Sequence, residues 1–147
     1  MDIITRTRQL LGEDVPEDIV LYRGLKEGGE GKYIGQYYTV DLEVAKKYGE
    51  KIIKKTLNKN AKILDLSDTE DFYSFMANNG LVDPEDVDAE NYIKSGQLYQ
   101  YDGSGNTENK LIAKAHSKKY DVLKIPDNLG SKIDNTAWIV LNDKVLK

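Results

Sequence analysis

The side chains that carry most enzyme chemistry are scarce in this sequence. Its 147 residues include no cysteine and one histidine, His116. Thiolate chemistry and cysteine-based zinc sites are therefore excluded, and a single histidine is a weak base or metal ligand. The glycines at 28, 29 and 31 lack the G-x-G-x-x-G spacing of a dinucleotide-binding turn and are typical of a plain loop. We predict no metal site.

Four spaced stretches carry more information because of their order. They are 21–24 (LYRG), 35–49 (GQYYTVDLEVAKKYG), 119–125 (KYDVLKI) and 136–142 (TAWIVLN). Together they resemble the ADP-ribosyltransferase superfamily, most closely its small bacterial and phage members. Stretch 57–66 also matches a pair of strands in that family, so the resemblance covers most of the chain apart from about 67–106.

The resemblance implies that NAD binds in a cleft between two sheets, with the LYRG stretch at its edge. Tyr22 and Arg23 end the first strand, and Arg23 would pair with the pyrophosphate, since a guanidinium fork suits phosphate oxygens. Gly24 would offer its backbone to the nicotinamide carboxamide. From the residues alone, a surface ion pair is the alternative role for Arg23.

The second stretch would supply the hydroxyl and aromatic groups of the same cleft. Tyr37 takes the position of the family's Ser or Tyr, Thr39 adds a hydroxyl, and Tyr48 would stack on the nicotinamide ring. Tyr37 and Tyr38 alternate faces of a strand, so one of them packs in the core. Tyr48 alternatively completes the buried stripe of a helix.

One residue departs from the family pattern. The family places a Glu before its last aromatic-Val-Val strand, where a carboxylate offsets the positive charge that develops on the ribose; here that position is Ala137. The acid comes from Asp127 or Asp134, or an engineered change removed a glutamate, or the domain retains binding without catalysis. Asp127 and Asp134 are otherwise ordinary turn residues beside Pro, Asn and Gly.

The elements that must position these residues follow from hydrophobic periodicity and turn signals. Helices are predicted over about 4–11, 42–48, 68–79, 83–95 and 107–119, the fourth opened by Pro84. Strands are predicted over about 19–23, 35–40, 51–57, 61–66, 122–125 and 138–141. This order predicts an α+β fold: one ADP-ribosyltransferase-like domain over 1–147, a split pair of mostly antiparallel sheets with a helical insertion at 67–106.

The composition limits the classes of partner that this chain is expected to bind. The formal charge of −4 argues against nonspecific nucleic-acid binding, and no run approaches the roughly 18 apolar residues of a membrane span. A cytoplasmic protein is the default expectation. The resemblance implies a mono-ADP-ribosyltransferase that uses NAD to modify a protein, with segment 67–106 recognising the acceptor. The alternative is an inactive module, encoded by a phage or bacterium, that binds NAD, ADP-ribose or a protein and inhibits by occupancy.

Overall fold

A computed structural model describes residues 18–26, 36–103, 105–128 and 135–147. The predicted helix at 4–11, the glycines at 28–31 and Asp134 lie outside the described residues. Within them the fold is α+β with two sheets, as the sequence predicts.

The strands form a two-stranded and a four-stranded sheet. In the first, β1 (Ile19–Leu25) pairs antiparallel with β3 (Lys51–Leu57). In the second, the order is β2 (Gln36–Tyr38), β6 (Thr136–Val140), β5 (Val122–Pro126), β4 (Ile63–Asp65). The β4–β5 pair is parallel and the other pairs are antiparallel. A bridge between Tyr22 and Thr39 joins the two sheets.

Four α-helices accompany the sheets within the described ranges. They are α1 (Leu42–Tyr48), α2 (Thr69–Asn78), α3 (Val87–Lys94) and α4 (Asn106–Ser117). Asp41, Asp68 and Asp86 cap the first three, each accepting hydrogen bonds from free backbone N–H groups. None of the described helices has the length and apolar character needed to cross a membrane.

The predicted start of the third of these helices is wrong. Pro84 does not open α3, because Asp83 accepts backbone hydrogen bonds from Glu85 and Asp86 and closes a turn first. The helix therefore begins at Val87, after its cap at Asp86. The β2 strand is also shorter than predicted, since the Thr39 hydroxyl accepts from the Asp41 N–H and turns the chain into α1.

Two hydrophobic cores cover opposite faces of the four-stranded sheet. The helix-side core comprises Leu66, Phe72, Met76, Val82, Ala89, Ile93, Leu98, Leu111, Ile112, Ala115, Leu123, Ile125, Ala137 and Ile139. The strand-side core comprises Leu21, Tyr38, Leu57, Val122, Trp138, Val140 and Val145. Segment 67–106 supplies six members of the helix-side core, from Phe72 to Leu98, so it is part of the packed body rather than an appendage.

Candidate active site

Strand alternation brings several of the predicted site residues to one face of the four-stranded sheet. Tyr37 pairs with Ile139, and Ala137 pairs with Ile125, all on the helix-side face. Asp127 lies two residues beyond Ile125, so its side chain has the same orientation as that residue. Ala137 is 2% exposed and forms part of the apolar floor.

Asp127 is held where β5 ends. Its backbone N–H donates to the Asn135 carbonyl (2.8 Å), which continues the β5–β6 ladder by one residue. The Tyr48 hydroxyl donates to Asp127 Oδ2 (3.5 Å), although the Tyr48 side chain is 42% exposed. Burial raises the pKa of Asp127 to about 6, against the opposing effect of the Tyr48 hydrogen bond. This carboxyl is therefore mostly ionised at neutral pH and gains a proton in mild acid.

Tyr48 does not belong to the buried stripe of its helix. The buried residues of α1 are Val44 and Ala45, and Tyr48 extends from the last turn toward Asp127. Partial burial and the negative charge of Asp127 both raise the pKa of Tyr48, so the phenol remains a neutral hydrogen-bond donor.

Asn135 fixes the backbone around this carboxyl. Its Oδ1 accepts from the Thr39 hydroxyl (2.9 Å), and its Nδ2 donates to the Asp127 carbonyl (3.3 Å). Thr39 is itself held by Tyr22, because the two residues exchange backbone hydrogen bonds of 2.7 and 2.9 Å. The predicted residues Tyr22, Thr39 and Asp127 are thus connected in one network through a residue that the sequence did not single out.

A second carboxyl approaches from α4. Glu108, in the first turn of that helix, is 2% exposed. Burial and then the negative charge of Asp127 raise its pKa to about 8, and the nearby Tyr37 hydroxyl works in the opposite direction. Two carboxyls with pKa values pushed apart in one site are typical of acid–base chemistry. Glu108, Asp127, Tyr37, Thr39 and Tyr48 are called the carboxyl site below.

Segment 67–106 reaches the carboxyl site through Asn128. The Asn128 side chain donates to the Ser95 carbonyl and its backbone N–H donates to the Gly96 carbonyl, both at 2.8 Å. The Tyr99 hydroxyl donates to the Asn128 carbonyl, also at 2.8 Å. Gly96 has a φ of 72° and a Cβ there would meet the Asn128 side chain at 2.6 Å, so both conformation and space require glycine. The segment therefore borders the site directly after Asp127.

Arg23 lies apart from this group. Its guanidinium carbon is 5.9 Å from the centre of the Tyr38 ring, and Tyr38 belongs to the strand-side core. Tyr48 contacts Asp127 on the helix-side face. The predicted meeting of Arg23 and Tyr48 across a shared cleft stays a prediction, because these contacts do not fix the distance between the two side chains.

Close packing of β1 against α1 explains why residue 24 is a glycine. A Cβ at this position would overlap the Ala45 carbonyl oxygen, which is backbone of α1 and cannot move aside alone. The absence of a side chain thus allows β1 and α1 to approach closely. Its predicted contact with nicotinamide stays a prediction.

Sequence reasoning missed Glu108, Asn135 and Tyr99. A signal for Glu108 was available, because it precedes Leu111, Ile112 and Ala115 by three, four and seven residues, the spacing of one helix face. A carboxyl on the buried face of a helix is a functional candidate. Asn135 had no such signal, since it lies in a polar turn. No group of three or more His, Cys, Asp or Glu side chains able to hold a metal ion occurs within the described residues.

Comparison with protein-family models, curated proteins and solved structures gives no match to this chain.

Proposed function

We propose that this chain is a NAD-dependent mono-ADP-ribosyltransferase that modifies a protein, with Asp127 as the carboxylate that offsets charge on the ribose. The observation that supports it most is the position of Asp127. It is ionised at neutral pH, contacts Tyr48, and lies on the same sheet face as Ala137, where the resembled family carries its acid.

Cleavage of the bond between ribose and nicotinamide chiefly requires a negatively charged group beside the ribose. The bond between ribose C1′ and the nicotinamide nitrogen breaks, the electron pair leaves with nicotinamide, and the acceptor atom forms a bond to C1′. Positive charge develops on the ribose in this step, and a fixed carboxylate in a partly buried site stabilises it strongly. Asp127 has that charge, and the oxygen of the exposed Tyr48 phenol can accept a hydrogen bond from the ribose or the carboxamide.

The carboxyl site fits the nicotinamide riboside part of NAD better than the rest of the dinucleotide. The oxidised nicotinamide ring is cationic, so acidic neighbours favour its binding, and the exposed Tyr48 ring offers a stacking surface. None of the five residues of the site is cationic. The site therefore does not account for binding of the pyrophosphate, and the assignment of Arg23 to that group needs its own test.

The first experiment measures nicotinamide release from NAD and transfer of labelled ADP-ribose to protein. We expect release by the wild-type chain and its loss in Asp127→Asn. Asp88→Asn, a matched change at an exposed aspartate of α3, serves as the control and should retain activity. Release that is equal in wild type and Asp127→Asn contradicts the assignment of the acid.

A second candidate function is favoured by Ala137 alone. An alanine at the family's acid position, buried in the helix-side core, is consistent with a module that binds NAD or a partner protein without cleaving it. Calorimetric binding of NAD without nicotinamide release, in a folded wild-type chain, supports this alternative. A folded wild-type chain that neither binds NAD nor releases nicotinamide contradicts both of the NAD-dependent functions.

A further inference from the structure

Glu108 is the most deeply buried acidic side chain of the carboxyl site and has no part in the step assigned to Asp127. Its carboxyl atom Oε2 is buried without a hydrogen bond within the described residues. A polar atom in that state costs free energy and is retained where a ligand or a reaction uses it. The side chain is 2% exposed, so its position is fixed by packing.

Glu108 lies in the first turn of α4, where the helix dipole and burial act on its pKa in opposite directions. A carboxyl in the first turn of a helix is stabilised in its ionised form by the helix dipole. Here the pKa is instead raised to about 8, from an ordinary value of 4.5. Burial and neighbouring negative charge therefore outweigh the effect of the helix dipole on this carboxyl.

The charged and titratable groups that face Glu108 come from four elements. Asp127 at the end of β5 and Asp102 before α4 both raise its pKa, whereas Tyr37 of β2 lowers it. Tyr48 of α1 also lies near Glu108, whose charge is one of the causes that raise the pKa of Tyr48. Asp102 is occupied, because it accepts hydrogen bonds from the Gly105 and Thr107 N–H groups and the Thr107 hydroxyl. Of the two flanking aspartates, only Asp127 belongs to the carboxyl site.

We propose that Glu108 accepts the proton of the group that receives ADP-ribose, and that this group is a hydroxyl or an amine nitrogen. The inference rests on the proposed function. As the acceptor oxygen or nitrogen forms its bond to ribose C1′, the nicotinamide bond breaks and its electron pair leaves with nicotinamide. The acceptor proton passes to the ionised Glu108 carboxylate. A carboxylate acceptor has no proton to give, and it is disfavoured by the charge of Asp127.

Water and azide distinguish this role from a structural one. Water must lose a proton when it attacks C1′, whereas azide is already an anion and forms ADP-ribosyl azide without proton transfer. We expect Glu108→Gln to lower nicotinamide release in water by on the order of 100-fold, typical of removing a general base. Sodium azide should restore release in Glu108→Gln. It should not do so in Asp127→Asn, which lacks the carboxylate that both nucleophiles need.

The pH dependence of nicotinamide release is an independent test of the role of Glu108 that uses the wild-type chain. Release in water should rise with pH toward about 8, where Glu108 becomes ionised, while the azide reaction should level off at a lower pH, once Asp127 is ionised. Glu70→Gln, at an exposed glutamate of α2, is the matched control and should retain both profiles.

The outcomes separate the inference from the proposed function. No release by the wild-type chain contradicts the proposed function itself. Release in water that is equal in wild type and Glu108→Gln contradicts only the role of Glu108. A folded Glu108→Gln chain that binds NAD, is inactive in water and is not restored by azide also overturns proton acceptance, since its defect then lies in bond cleavage.

Discussion

The two faces of the four-stranded sheet differ in what surrounds their polar groups. On the helix-side face the negative charge of Asp127 raises the pKa of Glu108, in a setting of phenols and apolar side chains. On the strand-side face Lys124 and Asp65 compensate each other's charge. Lys124 pairs with Asp65 at 3.2 Å and lies 4.4 Å from the Trp138 ring centre.

This difference arises because successive residues of a strand point to opposite faces of the sheet. Tyr37 and Tyr38 are neighbours in sequence, yet Tyr37 lies beside Glu108 and Tyr38 packs under Arg23. Compensated charges are tolerated in a fold, whereas carboxyls left close together in a buried site are costly and are typical of catalysis. We therefore expect substitutions on the helix-side face to alter chemistry, and substitutions on the strand-side face to alter packing or nothing.

The largest predicted contrast is between Asp127→Asn and Arg23→Ala. Asp127→Asn removes the carboxylate that offsets charge on the ribose, so kcat for nicotinamide release should fall by on the order of 100- to 1,000-fold. Arg23 lies on the other face, so Arg23→Ala should alter kcat/KM by less than about threefold, roughly the effect of losing one weak contact. Steady-state kinetics on both variants test this.

The same experiment tests the resemblance against the structure. A large rise in KM for NAD in Arg23→Ala, with kcat retained, is the result expected if Arg23 binds pyrophosphate. That result would contradict the separation of the two faces as we describe it.

Gly24→Ala should affect stability more than chemistry. The added Cβ overlaps the Ala45 carbonyl, so β1 and α1 must separate. Overpacking of this kind costs about 1–3 kcal/mol of unfolding free energy, measurable by urea titration. An alanine variant of unchanged stability that no longer binds NAD would instead support the predicted backbone contact with nicotinamide.

Glu108 should make stability depend on pH. Its pKa is about 8 in the folded chain and near 4.5 in the unfolded one, so between these values the folded chain retains a proton that the unfolded chain has released. Stability is then highest at low pH and falls as pH rises toward 8. Between pH 6.5 and pH 9 the loss should be about 2 kcal/mol, at about 1.4 kcal/mol per pH unit up to the pKa.

Urea titrations at these two pH values check that prediction. Most of the effect of Asp127 is complete by pH 6.5, since its pKa is about 6. Glu108→Gln should remove most of the loss and be more stable than wild type at pH 9, whereas Glu70→Gln should retain it. An equal loss in wild type and Glu108→Gln would show that Glu108 ionises normally.

Much of the fold could be predicted from the sequence because local signals agree with it. Strand β3 and helix α1 have the predicted bounds, since alternation, the Asp41 cap and Gly49 mark them clearly. The sheet order could not be predicted. The Asn58–Asn60 turn suggests adjacent strands, yet β3 and β4 belong to different sheets, because β4 pairs with β5 through contacts distant in sequence.

The site was predictable only where the chain itself brings residues together. Tyr37 and Thr39 share a face because they are two residues apart on one extended segment, and that is a local rule. The approach of Glu108 to Asp127 depends on how α4 packs on the sheet, which no local pattern specifies. Arg23 was grouped with Tyr48 by resemblance, and its guanidinium lies over the Tyr38 ring, a contact that depends on how β1 packs against β2.

The finest test of the two faces removes one hydroxyl from each. Tyr37→Phe removes the phenol that favours the ionised form of Glu108, so the pKa of Glu108 should rise further. Nicotinamide release in water at pH 7 should then fall by about threefold to fivefold, the effect of one hydrogen bond of about 1 kcal/mol. Tyr38→Phe changes a hydroxyl on the face of Arg23 and should remain within twofold of wild type.

Because the Tyr37→Phe defect reflects protonation, it should shrink at pH 9, where Glu108 is ionised in both chains. A defect that is the same at pH 7 and pH 9, or one shared equally by Tyr38→Phe, would mean that alternation along β2 does not separate chemistry from packing.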